Sequence, residues 1–218
     1  MNIVFDLDGT LIDSAPDLQS AASTVLGRHG KAALSLEETR SFIGEGAAVF
    51  VSRMMLARRI ATTAKRHAIL LEEFLEQYEF SIENAVFYPG AFEVLSTLKA
   101  DGHILALCTN KPELPARAVI RHMGLEPLFD AFMAGGMIDS RKPAPDMLLH
   151  TLHSFDDGPA LYVGDSEIDA ETARRAEVPF ALYAGGYRKR PVSDIHNDWV
   201  FQDFATLPGI VAEVIALH

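Results

Sequence analysis

Four short stretches of this sequence gather side chains able to act together on one small molecule. Asp6-Leu7-Asp8-Gly9-Thr10, Thr109-Asn110-Lys111 and Gly164-Asp165-Ser166 each follow a short apolar run, and Asp169 lies four residues beyond Asp165. Arg141-Lys142-Pro143 falls between the last two. Crowded carboxylates repel one another, and a hard cation removes that penalty. Mg²⁺ takes oxygen ligands in octahedral geometry, keeps several waters and uses few carboxylates, with a substrate phosphate completing the set. Asp6, Asp8 and Asp165 are therefore candidate metal ligands, provided their carriers are neighbours in space. Any one of these acids alone fits a turn or a helix cap as well. Their combination points to a site.

The residues beside the acids suit phosphoryl transfer. Thr109 offers a hydroxyl, Asn110 amide donors, and Lys142 a point charge that can neutralise a phosphoryl oxygen. Asp6 has the chemistry to attack phosphorus and form an aspartyl-phosphate. Asp8, two residues on, can face the same site from a tight turn. There it would protonate the leaving oxygen and later activate a water. Taken alone, Lys142 would pass for a solvated loop lysine.

Such a site needs strands to hold it. The runs Ile3-Val4-Phe5, Ile104-Leu105-Ala106-Leu107, Ala160-Leu161-Tyr162-Val163 and Phe180-Ala181-Leu182-Tyr183 read as strands apolar on both faces, as in a parallel sheet covered by helices. Amphipathic stretches alternate with them: Phe92, Leu95 and Leu98 share one helix face, and Leu207, Ile210, Val211, Val214 and Ile215 another. Pro112 opens a helix that Gly124 closes. Repeated strand and helix predict an α/β fold with a Rossmann-like parallel-sheet core, in which ligands sit beyond the carboxyl ends of the strands.

One interval breaks the rhythm. About 100 residues separate Asp6 from Thr109, where a βαβ crossover takes only about 30 or somewhat more. The surplus predicts an inserted helical cap over residues 15–85, set into a catalytic core of residues 1–14 and 86–218. Within the cap, Leu18, Ala21, Ala22, Val25 and Leu26 fall on one helix face, and Leu71, Phe74, Leu75 and Tyr78 on another. Tyr88-Pro89-Gly90 marks the turn back to the core.

Composition narrows the partners. With 49% hydrophobic residues, the 218-residue chain is not a disordered one. Acidic residues number 30 against 19 Lys and Arg, a formal charge of −11. That balance argues against nucleic acid or an anionic membrane as the main partner, and requires any anion site to be built locally. The single cysteine, Cys108, permits no internal disulfide and suits an intracellular protein. No signal-peptide pattern and no apolar run approaching about 20 residues is present, so a cytoplasmic enzyme is expected. No oligomeric state is implied.

Asp6-x-Asp8-x-Thr10, Thr109-Asn110, Lys142-Pro143 and Gly164-Asp165-Ser166-x-x-Asp169 resemble, in order, the four motifs of the haloacid dehalogenase-like phosphatases. The resemblance spans nearly the whole chain and is specific in combination. It implies Asp6 as nucleophile and Asp8 as general acid/base. It also implies Mg²⁺ held by Asp6, Asp165 and the Asp8 backbone carbonyl, with Asp169 orienting metal-bound water. Thr109 and Lys142 would hold the phosphoryl group. Asp8 speaks against the dehalogenase branch. Within the family the segments Asp6–Ser14, Thr109–Pro112, Val163–Ala173, Phe42–Gly46 and Gly186–Val192 are similar to those of bacterial phosphoglycolate phosphatases. A small phosphate monoester, 2-phosphoglycolate first, is the implied substrate. A sugar-phosphate phosphatase, a phosphomutase or a catalytically silent binding module are the alternatives.

Other residues carry weaker expectations. Gly44 and Gly46 are candidates for close backbone approach to substrate, against an ordinary connecting loop. Arg53 is a candidate for a substrate carboxylate, against a solvated helix arginine. Glu45 brings an unwelcome negative charge near an anion. Arg58, Arg59, Lys65 and Arg66 read as a solvated basic face, Cys108, Met54 and Met55 as packing residues. The eight histidines show no zinc spacing.

Overall fold

Strands that are apolar on both sides need cover on both sides, and the sheet here has it. The computed structural model describes residues 1–217. Six strands, β1 (Asn2–Phe5), β4 (Ile104–Pro112), β5 (Ala131–Gly135), β6 (Ala160–Gly164), β7 (Phe180–Tyr183) and β8 (Trp199–Phe201), form one sheet in the order β5-β4-β1-β6-β7-β8. Every neighbouring pair in it is parallel. One face is buried under α5 (Ala91–Ala100), α6 (Glu113–His122) and α9 (Leu207–Ala216), the other under α7 (Asp146–Leu152) and α8 (Glu167–Ala176).

The register explains how distant acids meet. β1 lies between β4 and β6, with Phe5 opposite Leu107 on one side and Val163 on the other. Asp6 and Asp165, which follow β1 and β6, and Thr109, in the last part of β4, thus lie on three adjacent strands at one edge of the sheet. That edge is where an open α/β sheet places its ligands.

Between β2 (Ile12–Asp13) and β3 (Val86–Phe87) the chain makes a helical excursion through α1 (Ala15–Arg28), α2 (Leu36–Phe42), α3 (Ala47–Ala57) and α4 (Ala64–Phe80). These helices have a hydrophobic cluster of their own, in which Phe74 stacks on Phe50 with ring centroids 5.0 Å apart. The two ends of the excursion are held together. β2 and β3 pair antiparallel, and Asp17 accepts hydrogen bonds from both the backbone and side-chain amides of Asn84 at 2.9 and 3.0 Å.

Several expectations change in detail. The buried row of α4 is Leu70, Phe74 and Tyr78, one residue in every four, while Leu71 and Leu75 are only half-buried. Ile215 and Phe92 lie at the solvent side of their helices, 45% and 38% exposed. The edge strands β5 and β8 carry little sequence signal because they are short and paired on one side alone. Met54, Met55 and Cys108 are fully buried packing residues. Arg58 is no solvated charge: it donates to both oxygens of Glu38 and to the Ala32 and Ala33 carbonyls. No helix of the described residues is long and apolar enough to cross a membrane.

Candidate active site

Turns and caps at the sheet edge aim the site. After β1 the chain turns at Gly9, whose φ of +89° an L side chain rarely adopts, and a Cβ there would sit 2.5 Å from Asp165 Oδ2. A Cβ on Gly186 would collide with the Gly9 carbonyl and the Asp165 carboxylate. Backbone therefore closes tightly around Asp165. Its Oδ1 accepts from Thr10 Oγ1 at 3.0 Å and its Oδ2 from the Tyr187 amide at 2.5 Å. Ser166 caps α8 and forms a reciprocal capping box with Asp169, so the cap that the sequence allowed and the site coexist in the same residues.

Asp6, Asp165 and Asp169 are all buried, and each offers a carboxylate oxygen within 4.8 Å of the others. Lys142, also buried, is the counter-charge. Its ammonium lies 2.7 Å from Asp169 Oδ1 and 2.9 Å from Asp6 Oδ1, and donates to the Tyr162 hydroxyl at 2.9 Å. The Asp6 contact is a close ion pair between two buried groups.

The electrostatics follow from burial. Loss of solvent, with the Asp169 and Asp8 charges, pushes the Asp6 carboxyl up to about 7 against the pull of Lys142. Burial and the charges of Asp169 and Asp6 hold Asp165 well above the usual carboxylate range. Burial would raise Asp169 too, but the Lys142 ammonium outweighs it and holds that carboxyl low. Burial alone would lower Lys142; Asp169 and Asp6 raise it above the ordinary lysine value.

Asp8 is turned the other way. Its Oδ1 accepts from Ser14 Oγ at 2.5 Å and pairs with the Lys111 ammonium at 2.9 Å. Among the described residues, the ion pairs of these carboxylates are those of Asp6 and Asp169 with Lys142 and of Asp8 with Lys111. A divalent cation fits this set by its donor chemistry: three buried carboxylates offer oxygens within 4.8 Å of one another, and burial with neighbouring negative charge holds Asp6 and Asp165 above the usual carboxylate range.

The remaining candidates divide. Thr109 is buried and lines, with Asp6, Asp8 and Asn110, a cavity of about 40 Å³, room for only a few water-sized groups. Gly44 and Gly46 line it as well. The Asn110 side chain is spent within the protein: Nδ2 donates to the Gly44 and Lys142 carbonyls, and Oδ1 accepts from the Lys142 amide, each at 3.0 Å. It pins the Lys142 loop from both sides. Arg53 is directed to Glu45 and the Phe42 carbonyl, outside the cavity lining. Glu45 is in turn flanked by Arg53 and by Lys189 at 3.9 Å, so its charge is offset.

Three residues escaped the sequence reading. Lys111 stands in a quoted motif but had no assigned partner until the fold brought Asp8 to it. Tyr187 reaches back across the chain to Asp13 and Asp165. Tyr162 sits in an apolar strand and looked like core, yet its hydroxyl donates to Asp169 Oδ1 at 2.8 Å and accepts from Lys142. Tyr162→Phe is expected to cost about 1–3 kcal/mol, because it leaves a buried charged pair one hydrogen bond short. A thermal melt should fall by several degrees, and an unchanged melting temperature would remove Tyr162 from the network.

Comparison with known proteins agrees with this geometry. Residues 3–183 match the family model of the haloacid dehalogenase-like hydrolases. The chain belongs to that family. It is 39% identical to a phosphoglycolate phosphatase of Rhodobacter capsulatus, over 96% of this chain and 95% of that protein. It is 40% identical to one from Cereibacter sphaeroides strain ATCC 17029, over 98% and 99%. The crystal structure of a predicted phosphoglycolate phosphatase from Haemophilus somnus 129pt superposes with a TM-score of 0.89 at 30% identity, covering 96% of each chain. The chain is accordingly an enzyme of the phosphatase kind.

Proposed function

We propose that this enzyme is a Mg²⁺-dependent phosphatase that hydrolyses 2-phosphoglycolate to glycolate and phosphate. The observation that carries the chemistry is the meeting of Asp6, Lys142 and the Asp165–Asp169 pair beyond three adjacent parallel strands. The full-length likeness to phosphoglycolate phosphatases supports the substrate.

In this reading Asp6 attacks phosphorus as a carboxylate, and the P–O bond to the alkoxide breaks. Asp8 gives its proton to the departing oxygen. Asp8, now a carboxylate, takes a proton from water, whose oxygen attacks the aspartyl-phosphate; phosphate leaves and Asp6 is restored. Thr109 and Lys142 hold the phosphoryl oxygens. Asp6, Asp165 and the Asp8 backbone carbonyl would hold Mg²⁺, with Asp169 orienting its water. The bound cation would neutralise charge on the phosphoryl group and on the carboxylates. We assign residues 15–85 as a cap over the core of 1–14 and 86–218. The Asn110–Gly44 and Lys189–Ile43 hydrogen bonds support a closed arrangement that excludes bulk water.

The test is phosphate release from 2-phosphoglycolate beside sugar phosphates, nucleotides and pyrophosphate, with and without Mg²⁺, compared as kcat/KM. A Mg²⁺-dependent preference for 2-phosphoglycolate is expected. Preference for a sugar phosphate, or phosphoryl return to product rather than to water, would move the assignment to a sugar-phosphate phosphatase or a mutase. No turnover at all would leave a binding module.

A further inference from the structure

We propose that the Lys111 ammonium and the Tyr78 hydroxyl together bind a second, acidic group of the substrate, so that the site selects small phosphate esters bearing a carboxylate over neutral ones. This rests on the phosphatase reading above and adds to it a pair of residues and a charge requirement.

Lys111 is placed with little freedom. It follows Thr109 and Asn110 at the end of β4, its backbone amide donates to Thr109 Oγ1 at 3.2 Å, and its side chain is 2% exposed. It lines the same cavity as Asp6, Asp8 and Thr109, and the wall beyond them is apolar, built from Leu18, Ile43, Phe50 and Phe74. Among the residues lining that cavity, Lys111 is the one cation, facing the carboxylates of Asp6 and Asp8.

The two buried lysines differ in what they have left to give. An ammonium has three donors. Those of Lys142 face Asp169, Tyr162 and Asp6. Those of Lys111 reach Asp8 at 2.9 Å and the Tyr78 hydroxyl, which leaves one for a ligand. Tyr78 accepts from Lys111, so its own proton is free to be donated, and its ring lies 4.4 Å below the ammonium as a second anchor.

Lysine and tyrosine thus offer two donors, from β4 and from α4, within the cavity that Asp6, Asp8 and Thr109 also line. A phosphoryl group seated by Thr109 and Lys142 would direct the rest of a short ester toward them. A neutral ester would leave the remaining ammonium donor and the Tyr78 hydroxyl proton without an acceptor, the condition under which a polar site discriminates strongly. A carboxylate would pair with both.

The experiment compares kcat/KM for 2-phosphoglycolate and for ethyl phosphate, the similar ester without a carboxylate, in wild type, Lys111→Met, Lys111→Arg and Tyr78→Phe. Ethyl phosphate reports any damage transmitted through Asp8, so the ratio of the two substrates isolates carboxylate recognition. The wild type is expected to favour 2-phosphoglycolate by about 100-fold. Lys111→Met should cut that preference at least about 10-fold, mainly through KM, with Lys111→Arg keeping part of it and Tyr78→Phe losing less. Equal losses on both esters, with the preference intact, would overturn this inference and leave the proposed function standing. A wild type that accepts both esters equally overturns it too. A wild type inactive on 2-phosphoglycolate overturns the proposed function and this inference with it. Should Lys111→Met fail to fold, Tyr78→Phe, which keeps the ring and its packing, decides by the same ratio.

Discussion

Asp6→Asn is expected to lower turnover of any accepted phosphate ester by about 10⁴-fold or more while the protein stays folded. An amide oxygen is a poor nucleophile, and removal of the group that forms the covalent intermediate is among the costliest changes an active site can suffer. The fold has reason to tolerate it. Asp6 sits buried among like charges, and its carboxyl is pushed up to about 7 despite Lys142. An acid whose folded pKa is raised disfavours folding at pH values above its unfolded value, so a neutral asparagine relieves that penalty at pH 7 to 8. The melting temperature of Asp6→Asn in metal-free buffer should therefore equal or exceed that of the wild type, a trade of stability against activity common at catalytic carboxylates. Residual activity within tenfold of wild type would rule out Asp6 as the nucleophile.

Chelation should act as strongly. With EDTA, phosphate release is expected to stop, and added Mg²⁺ to restore it. The same ion should raise thermal stability, because the clustered oxygens of Asp6, Asp165 and Asp169 exist only in the folded chain. At a Mg²⁺ concentration one hundred times its Kd, binding contributes about 2.7 kcal/mol. For a chain of this size that corresponds to a rise of several degrees in Tm. Asp165→Asn should abolish most of that rise, since Thr10 and Tyr187 would still hold the side chain in place but without its charge. A melting temperature indifferent to Mg²⁺ in the wild type would sink the metal assignment even if activity were found.

These two effects are large for one physical reason. The site assembles carboxylates closer together than their charges favour, and only a nearby cation or proton makes the arrangement comfortable. Lys142 supplies part of that charge, with its loop pinned by Asn110 through hydrogen bonds to its amide and carbonyl. Tyr162 supplies the dipole between Lys142 and Asp169.

Much of the frame is legible in the sequence. The four central strands show as uninterrupted apolar runs because both of their faces are covered, and the acids at their ends stand out against that background. The excess of chain between Asp6 and Thr109 announced the helical excursion. The edge strands β5 and β8 did not show, since a short strand paired on one side needs neither length nor continuous hydrophobicity. The phase of α4 was missed by one position, because four apolar residues on a helix fit either Leu70 or Leu71 into the buried row.

Residue types and spacing by themselves suggested the chemistry proposed here: oxygen donors suited to a hard cation, a carboxylate suited to nucleophilic attack, and a lysine and a hydroxyl suited to a phosphoryl group. They determined the layered α/β frame, because burial periodicity is a local property of the chain. Partner choice was decided only by the tertiary structure. Asp8 pairs with Lys111, 103 positions away, and Arg53 is claimed by Glu45 rather than by the cavity. Asn110 serves the Lys142 backbone, and Tyr162, hidden in an apolar strand, serves Lys142 and Asp169. A polar side chain's partner depends on which atoms lie within about 3 Å of it, and that distance is set by strand order and register, which no single stretch of sequence contains.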